Sequence, residues 1–394
     1  MAKDLHLKEL KDFPTSVTNS VESPCFLVNE GILRSNMETL SYVKKKTGAK
    51  ILLALKAFAM HSTFPTISRY LDGVCASGPM EARLGYEKFG KEVCTAAPAY
   101  SDKDMEEVIR YSNVIIFNSI SQWKKYRKRI AASGKRISVG LRVNPGHSEV
   151  ETDLYNPSIS GSRLGIMPEE LEGEDLAGVE GIHFHTLCEQ NADVLVRVLK
   201  SFERLYGEYL KNVKWVDFGG GHHITRPDYD VELLIKTING FKRRYGVQVY
   251  LEPGEAIALN SGILVSTVLD VVHNKMDIAI LDTSAEAHMP DVLAMPYRPN
   301  IIGAGRPKEL KYTYRLGGLT CLAGDVIGDY SFSSRLNAGD RLVFLDMAHY
   351  TMVKTTMFNG VRHPSIALYD PRRRGKKVRT IRRFGYKDYV ERLS

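Results

Sequence analysis

Eight short apolar runs, rich in β-branched residues, recur through the first 255 positions of this 394-residue chain, at 51–55, 73–76, 93–96, 114–117, 137–143, 181–185, 214–218 and 247–251. Stretches with helical periodicity lie between them, as at 79–89, 102–111, 120–133 and 192–210. A short strand that is apolar on both faces must be covered on both, and helices between successive strands make parallel pairing the economical solution. Eight such repeats predict a closed (β/α)8 barrel. An open doubly wound sheet is the alternative, but no G-x-G-x-x-G follows the first run.

The pattern changes after about residue 259. The runs 263–272, 277–282, 311–316 and 341–346 read as strands joined by turns with little helix between them. The length exceeds what one core usually holds. Two domains are therefore expected, a barrel over 30–258 and a β-rich domain over 259–394, with the strand-like run 23–29 (SPCFLVN) joining the latter. Neither an internal repeat nor a low-complexity linker interrupts this division.

The composition excludes several other classes. No stretch approaches the ~20 apolar residues that span a bilayer, and MAKDLHLKELKDF lacks the apolar core of a secretory leader. The five cysteines, Cys25, Cys75, Cys94, Cys188 and Cys321, are dispersed without a C-x-x-C pair, which argues against a disulfide framework or structural zinc and favours the cytoplasm. The net charge of +8 resides in one segment: 372–383, RRRGKKVRTIRR, holds eight basic residues and no acid, and the remainder balances to zero. Such a run is a solvated face or an oligomer contact; a polyanion is the alternative. With neither an aromatic-rich RNA module nor helix-turn-helix spacing in the chain, nucleic acid is not expected as a partner.

Chemistry in a parallel barrel gathers at the carboxyl ends of its strands. Lys56 ends the first run; a lysine there is ordinarily a solvated terminus, but at a barrel mouth its amine can become nucleophilic. Gly219, Gly220 and Gly221 follow the seventh run, where backbone amides can close around phosphate; the alternative is a tight strand–helix turn. Glu252 ends the eighth and is either a loop acid or a partner for a protonated ring nitrogen. His183 and His185 share one face of the sixth run, more readily as hydrogen-bonded histidines than as a metal pair, so no metal is expected.

A lysine after strand one, a histidine on strand six, GGG after strand seven and EPG after strand eight, in that order, resemble the fold-type III pyridoxal-phosphate (PLP) family. That family includes alanine racemase and the ornithine, diaminopimelate and arginine decarboxylases. The likeness runs from about Ser23 to Gly360. The stretches ALKAF, CASGPMEARLGYEKFG, GLRVNPGH, SRLGI, DFGGGHH, LEPGEA, LDTSAEAHMPDVL and MAHYTMVKTTMFNG are similar to the branch acting on carboxylated polyamines.

The resemblance implies that Lys56 holds PLP as a Schiff base, that His185 stacks on its ring with His183 structural, and that Arg142 lies near the lysine and the ring. It implies that Gly219, Gly220, Gly221 and Tyr350 contact the phosphate, and that Glu252 pairs with the ring nitrogen. Cys321 would be supplied to the site of a neighbouring protomer in a homodimer, and Asp325 would meet the substrate's distal amine. Racemases of this fold place an arginine against the ring nitrogen, so glutamate at 252 favours loss of CO2, with Cys321 or Lys56 returning the proton.

Three positions depart from many relatives. Glu255 stands where EPGR has its arginine, Cys188 where a small hydroxyl residue helps hold phosphate, and Leu322 where an acid follows the loop cysteine. The expected substrate is carboxynorspermidine or carboxyspermidine, and acids suit its amines. Glu255, Asp282, Glu286, His288, Asp291 and Asp325 are the candidate contacts, the 282–291 group alternatively being an acidic surface loop. Diaminopimelate, ornithine or arginine is the alternative substrate.

Overall fold

The structure, a computed structural model, describes residues 11–394; residues 1–10, most of the segment read above for a leader, lie outside it. It divides into two compact units, Arg34–Ile257 and the described residues up to Leu33 with Ala258–Ser394.

The sheet unit begins with β1 (Cys25–Asn29). The other unit contains β2 (Lys50–Ala54), β3 (Gly73–Ala76), β4 (Glu92–Ala96), β5 (Val114–Phe117), β6 (Ser138–Arg142), β7 (Gly181–His183), β8 (Trp215–Asp217) and β9 (Gln248–Leu251). These eight pair in parallel in chain order, and β9 closes on β2. The expected barrel is thus formed. Several of its helices start where short side-chain oxygens cap them. Ser101 accepts from the Asp104 amide to open Asp102–Tyr111, and Asp230 accepts from the Leu233 amide to open Val231–Tyr245.

The barrel interior is filled by side chains. Leu52, Cys75, Cys94, Val114, Ile116, Trp215 and Tyr250 form one buried cluster. Trp215 fits only because its neighbours across β6 and β7 are glycines. A Cβ on Gly181 would lie 2.0 Å from the indole, and one on Gly140 2.3 Å.

In the sheet unit β10 (Gly262–Asn274) is the long organising strand. It pairs antiparallel with β1, with β11 (Met276–Leu281) and with β14 (Arg341–Phe344). Beyond β11 follow β12 (Tyr312–Gly317) and β13 (Val326–Phe332); beyond β1 follow β15 (Ser365–Tyr369) and β16 (Val378–Arg382). The sequence reading found neither β13 nor β15 nor β16. Lateral position explains β16: it is an edge strand, only half covered, and most of the basic run 372–383 is exposed. Lysine and arginine on an exposed edge oppose pairing with another chain, which gives this charge a structural use.

Candidate active site

Parallel strands bring their carboxyl ends to one rim, so residues distant in sequence meet there. Lys56 lies two residues beyond β2, its side chain exposed and its Nζ 3.5 Å from His185 Nε2. His185 lies two residues beyond β7, which is shorter than the run 181–185 suggested. The Gly220 amide donates to His185 Nδ1 at 2.9 Å, which puts the proton of the neutral ring on Nε2, facing the lysine. Burial, with Lys56 and Arg142 nearby, drives the imidazole well below its ordinary range and keeps it neutral. Arg142 ends β6 and reaches the His185 carbonyl oxygen at 3.4 Å; burial pushes its guanidinium down to about 10 against the pull of Glu252.

Below this rim lie buried polar groups. Glu252 follows β9, is 4% exposed, and has Oε2 3.4 Å from His183 Nε2. Asp217, the last residue of β8, is 1% exposed and accepts the Gly219 amide on Oδ1 at 2.8 Å. One ligating atom from each of His183, His185 and Glu252 lies within 4.8 Å of the others, and the same holds for Cys94, Asp217 and Glu252. His183 and His185 do share one face, as alternation requires, with ring centroids 6.3 Å apart.

The glycine run is a forced turn. Gly219 and Gly221 have φ of +68° and +80°, and a Cβ on Gly221 would stand 1.9 Å from the Leu187 carbonyl oxygen. The structure refines its expected role. The amides of Gly219 and Gly220 turn inward to Asp217 and His185, leaving those of Gly221 and His222 without a protein acceptor among the described residues. Glu255 opens the short helix Glu255–Ala258 and lies 3.7 Å from His223 Nε2. Burial raises the half-buried Cys188 thiol to about 11, so it stays protonated.

In the sheet unit the expected acids are mostly occupied. Asp325 is buried and accepts from Ser284 Oγ at 2.8 Å, the Ala285 amide at 2.7 Å, and both the amide and the hydroxyl of Thr320 at 3.1 and 2.7 Å. Asp282 accepts from Ser23 Oγ, Ser266 Oγ and the Thr267 amide. His288 is fully buried between the Ser284 amide and the Arg362 carbonyl oxygen, and burial pushes it down to about 4. Asp291 pairs with Lys354 at 2.6 Å. All four thus hold segments of the sheet unit together, a structural use beyond the one expected of them. Glu286 is different, a half-buried carboxylate at the start of Ala285–His288 with no protein donor among the described residues.

Anchoring of Asp325 fixes the loop carrying Cys321. That thiol is exposed, and its amide donates to Asn359 Oδ1 at 2.7 Å. Leu319, Leu322 and Phe358, adjacent in the same two segments, are each about two-fifths exposed. Tyr350 is half-buried with φ of +49°, a left-handed backbone that costs a bulky residue of order 1–3 kcal/mol and marks a constrained position.

An amine on the rim of a parallel barrel, above a buried carboxylate and beside a glycine turn, defines an enzyme built to hold a phosphorylated ring cofactor. The chain belongs to the pyridoxal-dependent decarboxylases: the family model described as "Pyridoxal-dependent decarboxylase, C-terminal sheet domain" matches residues 25–348. It is 44% identical over 380 residues to the carboxynorspermidine/carboxyspermidine decarboxylase of Campylobacter jejuni, covering 94% of this chain and 98% of that protein. It is also 44% identical to the carboxyaminopropylagmatine decarboxylase of Synechocystis, covering 95% and 96%. The crystal structure of the Campylobacter jejuni carboxynorspermidine decarboxylase complexed with norspermidine superposes with a TM-score of 0.87, covering 94% of this chain and all of that one. Diaminopimelate decarboxylase from Helicobacter pylori, at 16% identity and a TM-score of 0.82, shares the fold.

The residues present fit pyridoxal phosphate. Lys56 offers the amine and Glu252 a buried carboxylate whose Oε1 has no protein partner. The turn at Gly219–Gly221 leaves two amides open where a side chain would collide.

Proposed function

We propose that this enzyme removes CO2 from a carboxylated polyamine, carboxynorspermidine or carboxyspermidine, to give norspermidine or spermidine. The observation that carries the reading is Glu252, an acid buried at the point where a decarboxylase needs a counter-charge for a protonated pyridine. Bound pyridoxal phosphate supplies the electron sink that loss of CO2 requires.

In this reading the Lys56 amine, on the barrel rim beside His185, would hold the cofactor. His185, neutral and fixed by Gly220, would offer its ring face to the cofactor, while Arg142 contributes positive charge at the rim. The amides of Gly221 and His222, with Tyr350, hold the phosphate; Glu255, an acid where many relatives have arginine, leaves that task to backbone donors. His183 orients Glu252, and Cys321 or Lys56 returns a proton to Cα. Glu286 receives a substrate amine, and Glu255 adds negative charge for a cationic chain. Asp325 acts through the Cys321 loop it anchors. We further infer a homodimer in which Cys321 of one copy serves the barrel of the other. Support comes from the exposed thiol and from the exposed Leu319, Leu322 and Phe358 in the same two segments, which the Cys321–Asn359 bond brings together. Five free cysteines and the absence, among the described residues, of a helix long and apolar enough to cross a membrane support a cytoplasmic setting.

A product profile tests the substrate. Turnover of carboxynorspermidine and carboxyspermidine should exceed that of diaminopimelate, ornithine and arginine; preference for diaminopimelate would overturn the assignment. Carboxyaminopropylagmatine is the second reading, because a relative of that name is equally similar, and it belongs on the same panel. Mixing equal amounts of Lys56→Ala and Cys321→Ala protein should restore about a quarter of wild-type activity, since half of the dimers are hybrids with one intact site. No recovery would argue against sharing.

A further inference from the structure

Asp217 lies outside the mechanism above, yet it is buried beside Glu252. Its register explains the meeting. Asp217 pairs with Tyr250 across β8 and β9, and Glu252, two residues on, points to the same side of the strand. Oxygens of the two carboxyl groups lie within 4.8 Å of one another. Of the four oxygens, two have neighbours: Asp217 Oδ1 takes the Gly219 amide, and Glu252 Oε2 faces His183. The other two, Asp217 Oδ2 and Glu252 Oε1, are buried with no donor. Two ionised carboxylates left so would repel at short range without water. A single proton between them removes the repulsion and satisfies both orphaned atoms at once.

We propose that Asp217 is a permanently un-ionised acid that donates its Oδ2 proton to Glu252 Oε1, a positioning residue that holds the Glu252 carboxylate in place. The proposal rests on the reading of Glu252 as the ring-nitrogen partner. The proton belongs on Asp217 because positive or donating groups surround Glu252: His183, the Cys75 thiol and, further off, Lys56 oppose the effect of burial there and hold it ionised. Around Asp217 burial acts first, and the neighbouring Glu252 charge adds to it, lifting the acid well above the carboxylate range. The Gly219 amide fixes the Asp217 side chain so that only Oδ2 is left to donate. A neutral donor beneath Glu252 keeps that carboxylate from rotating toward Cys94 or drawing back to His183. One turn, DFGGG, thereby builds the phosphate seat and also braces the acid beneath the ring.

Asparagine reproduces the arrangement, since its Oδ1 can accept from Gly219 and its Nδ2 can donate to Glu252. Asp217→Asn protein, as purified with its cofactor, should keep kcat within about fivefold of wild type. Asp217→Ala should lower kcat by about 10–100-fold with KM little changed. The direct readout is the wild-type minus Asp217→Asn infrared difference spectrum at neutral pH. It should show the carbonyl stretch of an un-ionised carboxylic acid in wild type, a signal that a merely structural residue would not give. An ionised-carboxylate band in its place, or an Asp217→Asn enzyme as impaired as Asp217→Ala, would overturn the proposal. Borohydride labelling of the same wild-type sample separates the two levels: an unlabelled Lys56 defeats the cofactor assignment, while the infrared band reports on Asp217 regardless.

Discussion

The carboxyl end of the barrel and the loops of the sheet unit both gather ionisable groups, but most are satisfied in one and not in the other. In the sheet unit Asp282, Asp291, Asp325 and His288 each have their hydrogen bonds met by nearby amides, hydroxyls or a lysine. At the barrel end His183, Asp217, His222 and Glu252 are all buried, yet each keeps atoms without a protein partner. A buried unpaired polar group costs of order 1–3 kcal/mol, so a cluster of them persists only where something else uses it. Those four residues of the sheet unit hold its loops together, whereas the four at the barrel end, like Glu286, keep atoms that a ligand can use.

Substitutions can break this contrast. Glu252→Gln removes a charge the chemistry needs, and kcat should fall by roughly 10²–10³-fold while the protein stays folded; full activity by steady-state assay would contradict the barrel side of the comparison. Asp325→Asn should do the reverse. An amide nitrogen opposite Ser284 Oγ and the Thr320 donors loses about 2–4 kcal/mol in urea unfolding, with KM for substrate little changed. A raised KM with unaltered stability would return Asp325 to the substrate.

The pH dependence follows from His288. Its folded pKa, depressed to about 4, lies below the ordinary value of 6.5, so the unfolded chain binds the extra proton in between. Its contribution is complete above about pH 6.5 and is lost as pH falls toward 4, by about 2 kcal/mol at pH 5. Urea titrations at pH 7 and pH 5 should show this slope, and His288→Gln should flatten it. The smallest effect is expected at Glu286, where Glu286→Gln should raise KM about tenfold with kcat preserved. An unchanged KM would remove the one sheet-unit acid here assigned to substrate.

Much of this was legible in the sequence because it rests on local patterns. Eight apolar runs gave the barrel, and residues at or just past their ends gave the candidates Lys56, His185, the glycine turn and Glu252. Partnership was not legible. Asp282 and Asp325 look like free acids in one dimension, but the donors that engage them come from as far away as Ser23 and Ser284. The inward turn of the Gly219 and Gly220 amides depends on neighbouring strands in the same way. Asp217 did carry a signal: an acid inside the apolar run WVDF, in step with the inward Trp215, must be buried. The strands β13 and β16 went unread because their half-covered positions interrupt the apolar pattern, Gly328 and Asp329 in the first and a row of basic residues in the second; β15 is short.

The central claim is that the amine at position 56 holds the cofactor. Treating the purified enzyme with borohydride, digesting it and sequencing by mass spectrometry should place a pyridoxyl group on Lys56 and nowhere else, with Lys56→Ala protein left unmodified. A label on another lysine, or wild-type protein that takes none when pyridoxal phosphate is added, would contradict it.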